Sequence, residues 1–297
     1  MFKWLSRKSR GPSVEEGPGE GDSGRDPEPA ATTGEVASIV RRWDGVIADV
    51  RQRFRSLIEK TAAASDAQLA ALGTDLGPLS RSWSPTQHQL HQHQEEISDA
   101  WNQISDLLSE AEPPEGVMDR EGQKRDGATC ELELDYERAY RAAMARAAER
   151  LKQQWQGATA ERRCLSCNTP LPAVVVISQA VNVPCPSCGA MTLLDPGPGL
   201  RSFAAAALFI GQRSAQTAWE AMRRAEARIN GYRDRREVPL ELLRELESSA
   251  REYWTTTLTV EAEQVPELAK HMTAKLEGAM KGVEKTLRQF WQWRQQG

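Results

Sequence analysis

Between Val36 and Leu57 the apolar positions recur every three or four residues: Val36, Ile39, Val40, Trp43, Ile47, Val50, Phe54 and Leu57. That spacing gathers them into one stripe of an α-helix. Thr33 is the expected N-cap, with Glu35 in the first turn. A second series follows, Leu69, Leu76, Trp83, Leu90, Ile97 and Ile104, spaced by seven throughout like one long heptad seam. Gly77-Pro78 and Ser84-Pro85 interrupt it, and an internal proline costs about 3 kcal/mol in a helix. The pattern therefore predicts two helices. One ends near Gly73; the next is capped by Ser84, has Pro85 at its first position and runs to about Ala111.

Polar and helix-breaking residues then dominate residues 112–128, "EPPEGVMDREGQKRDGA", which reads as a linker. A helix over 129–160 is expected next, with Tyr136, Tyr140, Met144, Ala147, Leu151 and Trp155 on one face. A cysteine-bearing module occupies 161–194, and "DPGPG" closes it at Gly199. Three further helices are expected over about 200–232, 239–262 and 266–294, with Pro239 and Pro266 in first-turn positions. The last carries Leu268, Met272, Leu276, Met280, Val283, Leu287 and Trp291 on its stripe. This stripe and the Leu90–Leu108 seam are expected to bury against each other or against a second copy of the chain. The fold class is thus mainly α. Long amphipathic helices form a bundle or coiled-coil-like arrangement, in an N-terminal helical region (34–111) and a C-terminal one (195–297), with one small insert.

The insert changes the chemistry. Four of the five cysteines lie in "CLSCNTPLPAVVVISQAVNVPCPSCGA", in two Cys-x-x-Cys pairs separated by seventeen residues. Two such turns, brought together by a hairpin, can aim four thiolates at one point. "CLSCNTPL" and "CPSCGAMT" resemble the two knuckles of the zinc-ribbon family, with Gly189 where that family favours glycine. The resemblance covers about thirty residues. It implies that Cys164, Cys167, Cys185 and Cys188 ligate one structural Zn²⁺ per chain on a short β-hairpin. Four thiolates close the coordination sphere and leave no position for a reacting water. A redox-active or merely buried set of cysteines is the alternative.

Composition narrows the partners. From Cys164 to Leu194 the chain has no Lys, Arg, acid or aromatic residue. Phosphate contacts need cations and base stacking needs rings, so nucleic-acid binding through this module is not expected. Its run Val174–Ile177, with Val181 and Val183, implies strands covered by neighbouring helices or by a protein partner.

Elsewhere, His88, His91 and His93 share a Gln-rich stretch that reads as a solvated helix face, with a metal site as the alternative. "RRAEARINGYRDRRE", from Arg223, concentrates six arginines. It reads as a charged helix end, or alternatively as a receptor for an acidic partner or phosphate. Cys130 has no base beside it and falls near a helix start. No Gly-rich phosphate loop or nucleophile elbow is present, and no paired His–carboxylate metal motif.

The whole chain of 297 residues has 27% charged and 39% hydrophobic residues and a formal net charge of −4. Nothing in that balance favours nucleic acid or membrane globally. The longest apolar run, Phe203–Gly211, is about half of a bilayer span. "MFKWLSRKSR" lacks the apolar core of a secretory signal. Residues 1–33 read as a disordered acidic tether ending in a basic, aromatic tip. Phe2, Trp4 and Leu5 could meet an anionic membrane or a partner's groove, or simply fray. The reading that best fits is a non-enzymatic cytoplasmic adaptor or scaffold acting through a protein partner or self-association. A nucleic-acid-associated regulator using the Arg223–Arg236 cluster is the alternative, and an enzyme with a dispersed site is a second.

Overall fold

A computed structural model describes residues 29–70, 75–156, 163–172, 178–232 and 234–295. Helices span Pro29–Ala70 (α1), Gly77–Ser82 (α2), Ser84–Glu110 (α3), Val117–Gln156 (α4), Gly197–Ser214 (α5), Gln216–Asn230 (α6), Leu240–Gln264 (α7) and Met272–Gln295 (α8). One antiparallel hairpin, Val181–Pro184 (β1) with Met191–Leu194 (β2), carries the second cysteine pair between its strands. The mainly α bundle is the architecture that the periodicity predicts, and the small hairpin lies where the cysteine spacing and the ribbon resemblance place one.

The central helix is α4. Lys124 meets Asp44 (2.7 Å), Arg55 meets Asp135 (2.9 Å) and Arg146 meets Asp66 (2.7 Å), all at one offset of 80 residues. A constant offset means that α1 and α4 run parallel and in step. On the other side, Lys152 meets Gln264 at an offset of 112 residues, and the Arg141 guanidinium faces the Tyr253 ring at the same offset, so α7 is parallel too. Helix α3 is antiparallel to α1: Trp43 packs on Trp101, Phe54 on His93, and Thr61 bonds Thr86. Helices α5 and α6 return antiparallel to α4, with Arg213 on Glu149 and Arg224 on Glu131.

Two main cores lie on opposite sides of α4. Trp43, Phe54, Trp83, Ile97 and Leu108 fill one, with Leu132 of α4. Trp219, Met222, Leu242, Leu246 and Met280 fill the other, with Leu134 of α4. Leu132 and Leu134 are two residues apart, about 200° around a helix, and both are buried. A ladder of ion pairs joins the halves. Glu131 takes Arg51 from α1 and Arg224 from α6, while Asp135 takes Arg55, and Arg138 bridges Asp135 to Glu220.

Several boundaries differ from the sequence reading. Helix α1 begins at Pro29, so Thr33 lies inside it rather than at its cap. Residues 1–28 and 71–74, including the basic tip and Gly73, lie outside the described residues. The interrupted seam holds an extra short helix, α2. Trp83, not Ser84, occupies the cap position of α3, and Ser84 and Pro85 are its first two residues. The seam still reaches the core, with Leu69, Trp83, Leu90, Ile97 and Ile104 buried.

The expected linker 112–128 is the largest correction, because α4 begins at Val117. Gly116, at φ 78°, makes the turn. From there tertiary contacts support the polar stretch. The Trp43 indole donates to the Glu121 carbonyl, and the buried Glu121 carboxylate meets Arg120 and Lys124. Gly122 lets Trp101 lie against the helix. The expected single helix 200–232 is kinked at Ala215 (φ −93°, ψ 12°). The kink turns Ala218, Trp219 and Met222 into the α7–α8 core, while Phe203 and Ala207 stay with Leu151 and Val265. Just before it, Gly211 passes so close to α7 that an added Cβ would lie 2.3 Å from the Thr257 carbonyl oxygen.

The last helix opens as a 3-10 turn over Pro266–His271. Its stripe buries Met280, Val283, Leu287 and Phe290 against α7, and the α3 seam buries against α1 and α4, so the two stripes do not need each other. Trp291, expected on the buried stripe, stands exposed instead.

Candidate metal centre

Each cysteine pair sits in the same backbone turn. The Cys164 amide donates to the Thr169 carbonyl (2.9 Å) and the Asn168 amide to the Cys164 carbonyl (2.9 Å). The second turn repeats this: Cys185 to Ala190 (2.9 Å) and Gly189 to Cys185 (3.0 Å). Asn168 and Gly189 occupy the equivalent left-handed position, at φ 60° and 71°. Asparagine and glycine are the residues that accept it at least cost. An Arg163–Pro170 bridge closes the first knuckle, and the β1–β2 ladder, from Val181↔Leu194 to Pro184↔Met191, closes the second.

The two knuckles stand face to face. Cys164 Sγ lies 3.7 Å from Cys188 Sγ, and Cys167 Sγ lies 3.6 Å from Cys185 Sγ. All four sulfurs fall within 4.8 Å of one another. A tetrahedral ion with metal–sulfur bonds of about 2.3 Å needs sulfur–sulfur edges of roughly 3.8 Å. The four thiols therefore fit a metal ion. Among the described residues no other His, Cys, Asp or Glu group converges in this way.

The electrostatics also call for a cation. Backbone amides of Cys167 and Ser166 hold the Cys164 thiol below its ordinary value. Hydrogen bonding with the Thr169 hydroxyl, 3.3 Å away, holds Cys167 down at about 6. Cys188 goes the other way. The Ala190 amide lowers it, but hydrogen bonds with Cys167 and Cys164 and partial burial push it up to about 12. Four sulfurs this close cannot all ionise unless a positive ion sits among them.

Cys164, Cys185, Leu171, Val183 and Leu194 form a small core belonging to the ribbon alone. The Ser178 amide and hydroxyl both donate to Glu267, at the corner between α7 and α8. The run 173–177, expected as a covered strand, lies outside the described residues. Large apolar side chains of the ribbon stand bare: Met191 and Leu193, on one face of β2, are 62% and 60% exposed, and Leu165 in the first knuckle is 90% exposed. Sequence reasoning expected helices or a partner over this module but did not locate the bare face. Both faces of "MTLL" carry apolar residues, so alternation alone could not show which one turns outward.

The other candidates are absorbed by the fold. His88 and His91 are exposed beside Gln92 and Gln94, while His93 is buried edge-on to Phe54 and bonded to Glu96. The three do not converge. In the arginine cluster, Arg223 pairs with Glu133 and Glu226, Arg224 with Glu131 and Glu220, Arg228 with Glu245, and Arg236 with Asp234, while Arg233 lies outside the described residues. Cys130 is buried within α4, not near its start, and burial pushes its thiol up to about 11. No protein family, curated protein or solved structure matches the chain. None of the described helices is long and apolar enough to cross a membrane.

Proposed function

We propose that this chain is a non-enzymatic cytoplasmic adaptor or scaffold whose cysteine module is a structural zinc ribbon presenting an apolar surface to a protein partner. The observation that carries the reading is the exposure of Met191 and Leu193 on one face of the hairpin, and of Leu165 on the first knuckle, in an uncharged module. A fold does not normally leave large apolar side chains this open on so small a body unless something else covers them. The absence of charge favours a protein surface over a phosphate backbone. Zinc suits the site because four thiolates in tetrahedral array are its preferred closed coordination. When bound, it would fix the two knuckles and hence the apolar tips. The internal pairing of Arg223, Arg224, Arg228 and Arg236 leaves those cations engaged and so weighs against the nucleic-acid reading.

The test compares the full-length chain with a Leu165→Ser, Met191→Ser, Leu193→Ser triple variant in quantitative affinity capture from cytosol. The expected result is loss of specific protein partners with one zinc per chain retained in both. An unchanged partner set with intact zinc would refute the assignment of this face. A metal-to-chain ratio well below one in freshly reduced protein would refute the zinc centre itself.

A further inference from the structure

The interruptions of the heptad seam shape a cleft in the helical body. Gly77-Pro78 and Ser84-Pro85 confine α2 to Gly77–Ser82 and turn the chain into α3 beside α4. Ser80 and Arg81 come from α2, Ser84 and Gln87 from α3, and Tyr136 and Glu137 from α4. Together they line a cleft of about 370 Å³, a volume within the range of small-molecule sites. The short side chains of Ser80 and Ser84 leave the space open. On the α4 side the rings of Tyr136 and Tyr140 stack 5.9 Å apart, and the Tyr140 hydroxyl lies 3.3 Å from that of Ser80.

The fold does not use all the polar groups of this cleft. Tyr136 is 5% exposed and packs edge-on against Trp83, yet its hydroxyl has no hydrogen-bond partner among the described residues. Unlike the Trp83 Nε1, that hydroxyl is not sealed in the core, so it opens on the cleft. Burial pushes the phenol up, which keeps it protonated and able to donate. Arg81 forms no ion pair among the described residues, whereas Arg138, Arg141 and Arg146 of α4 all do. Glu137 is the one acid of the lining, and its carboxylate already accepts from the buried Arg141 guanidinium at 3.0 Å. The cleft is therefore left with the positive charge of Arg81. Helix α3 starts there with no side-chain cap and no acid in its first turn, so its positive end is unopposed.

A guanidinium, a helix start and hydroxyl donors from three helices suit an anion with several oxygens. The two oxygens of a carboxylate would leave some of these donors idle, whereas the three terminal oxygens of a phosphate engage them. The cleft also has room for more than a bare phosphate ion. We infer that the cleft between α2, α3 and α4 binds a small phosphate monoester, with Arg81, Ser84 and the Tyr136 hydroxyl on the phosphate and Gln87 beside its organic stem. This inference does not depend on the adaptor reading, since the ribbon variant above leaves the cleft untouched.

The experiment is isothermal titration calorimetry of the full-length, zinc-loaded chain at fixed ionic strength, with glycerol 3-phosphate, inorganic phosphate and acetate as probes. Glycerol 3-phosphate is expected to bind with a Kd of about 1 mM or below, more tightly than inorganic phosphate, with acetate weakest. Arg81→Ala should weaken its binding by about tenfold or more, the usual effect of losing a charged hydrogen-bond donor. Tyr136→Phe keeps the ring against Trp83 and should weaken binding several-fold. Arg244→Ala, at an exposed arginine of α7, should bind as the parent does. Arg81 is exposed and the Tyr136 change is conservative, and an unchanged melting temperature confirms that both variants fold. No binding of glycerol 3-phosphate by the parent chain at about 10 mM would overturn the inference, as would parental affinity in either cleft variant. An equal loss in Arg244→Ala would overturn it too, by showing general attraction to surface charge. Inorganic phosphate or acetate binding at least as tightly as glycerol 3-phosphate would overturn the monoester assignment.

Discussion

The ribbon and the helical body solve the same problem by opposite means. The body orders long stretches of chain with large buried side chains on both sides of α4 and a ladder of arginine–carboxylate pairs. Among the described helices no group of metal ligands converges. The ribbon, among the described residues, has a core of five buried residues, two of them cysteines. So small a core cannot offset the entropy of ordering the chain around it. The four sulfurs, placed where they could hold a metal ion, offer it a second source of stability. Burial specifies the body, whereas in the ribbon the converging groups are cysteines.

The largest expected effect separates the two. Cys188→Ser, or removal of metal by a strong chelator, should unfold the ribbon, since structural zinc sites supply on the order of 10 kcal/mol of apparent folding energy. Amides of 181–194 should lose hydrogen-exchange protection while those of α3 and α7 keep theirs. Parallel loss of protection in the helices would mean that the two regions are one cooperative unit.

The converse cut falls in the body. Phe54 is fully buried against His93, and Phe54→Ala should cost about 3–5 kcal/mol in denaturant unfolding. Bound zinc, measured in the folded variant, should stay at the parental ratio.

Gly211→Ala should cost about 1–3 kcal/mol, because backbone rather than a flexible side chain stands in the way of the new methyl group. A melting temperature equal to the parent's would show that α5 and α7 can part without penalty.

The smallest effect sharpens the electrostatic side of the comparison. Hydrogen bonds from Arg53 hold the Glu96 carboxyl below the usual carboxylate range, against the opposing effect of partial burial, with His93 adding to the lowering. A depressed folded value stabilises the fold above the ordinary Glu value of about 4.3 and loses that contribution as pH falls through the lower folded value. Both side chains are well exposed, so Arg53→Ala should cost less than about 1 kcal/mol at neutral pH. The difference from the parent should close as the solution is acidified below about 4. A gap that persists at low pH would assign the effect to packing of the arginine stem.

How legible each region was follows from what holds it. The four ligands could be read directly, because a metal site depends on residue type and spacing, both visible in a string of letters. The long stripes were legible as well: Trp43, Val50 and Phe54, or Met280, Val283 and Leu287, repeat with the helix itself. The beginning of α4 was not. Residues 117–128 are polar and hold two glycines, and they are helical because Trp43 and Trp101, distant in sequence, pack on Glu121 and Gly122. The kink at Ala215 was hidden for a similar reason, since it answers the close crossing of α5 and α7.

By itself the sequence determined the mainly helical class, the apolar stripes and the four cysteines that could hold a metal ion, because helical periodicity and cysteine spacing are local properties. Only the tertiary structure decided which arginines are consumed in ion pairs. It also decided that Trp291 and Leu165 stay in solvent. Exposure and proximity depend on what the rest of the chain brings alongside, and no local pattern records that.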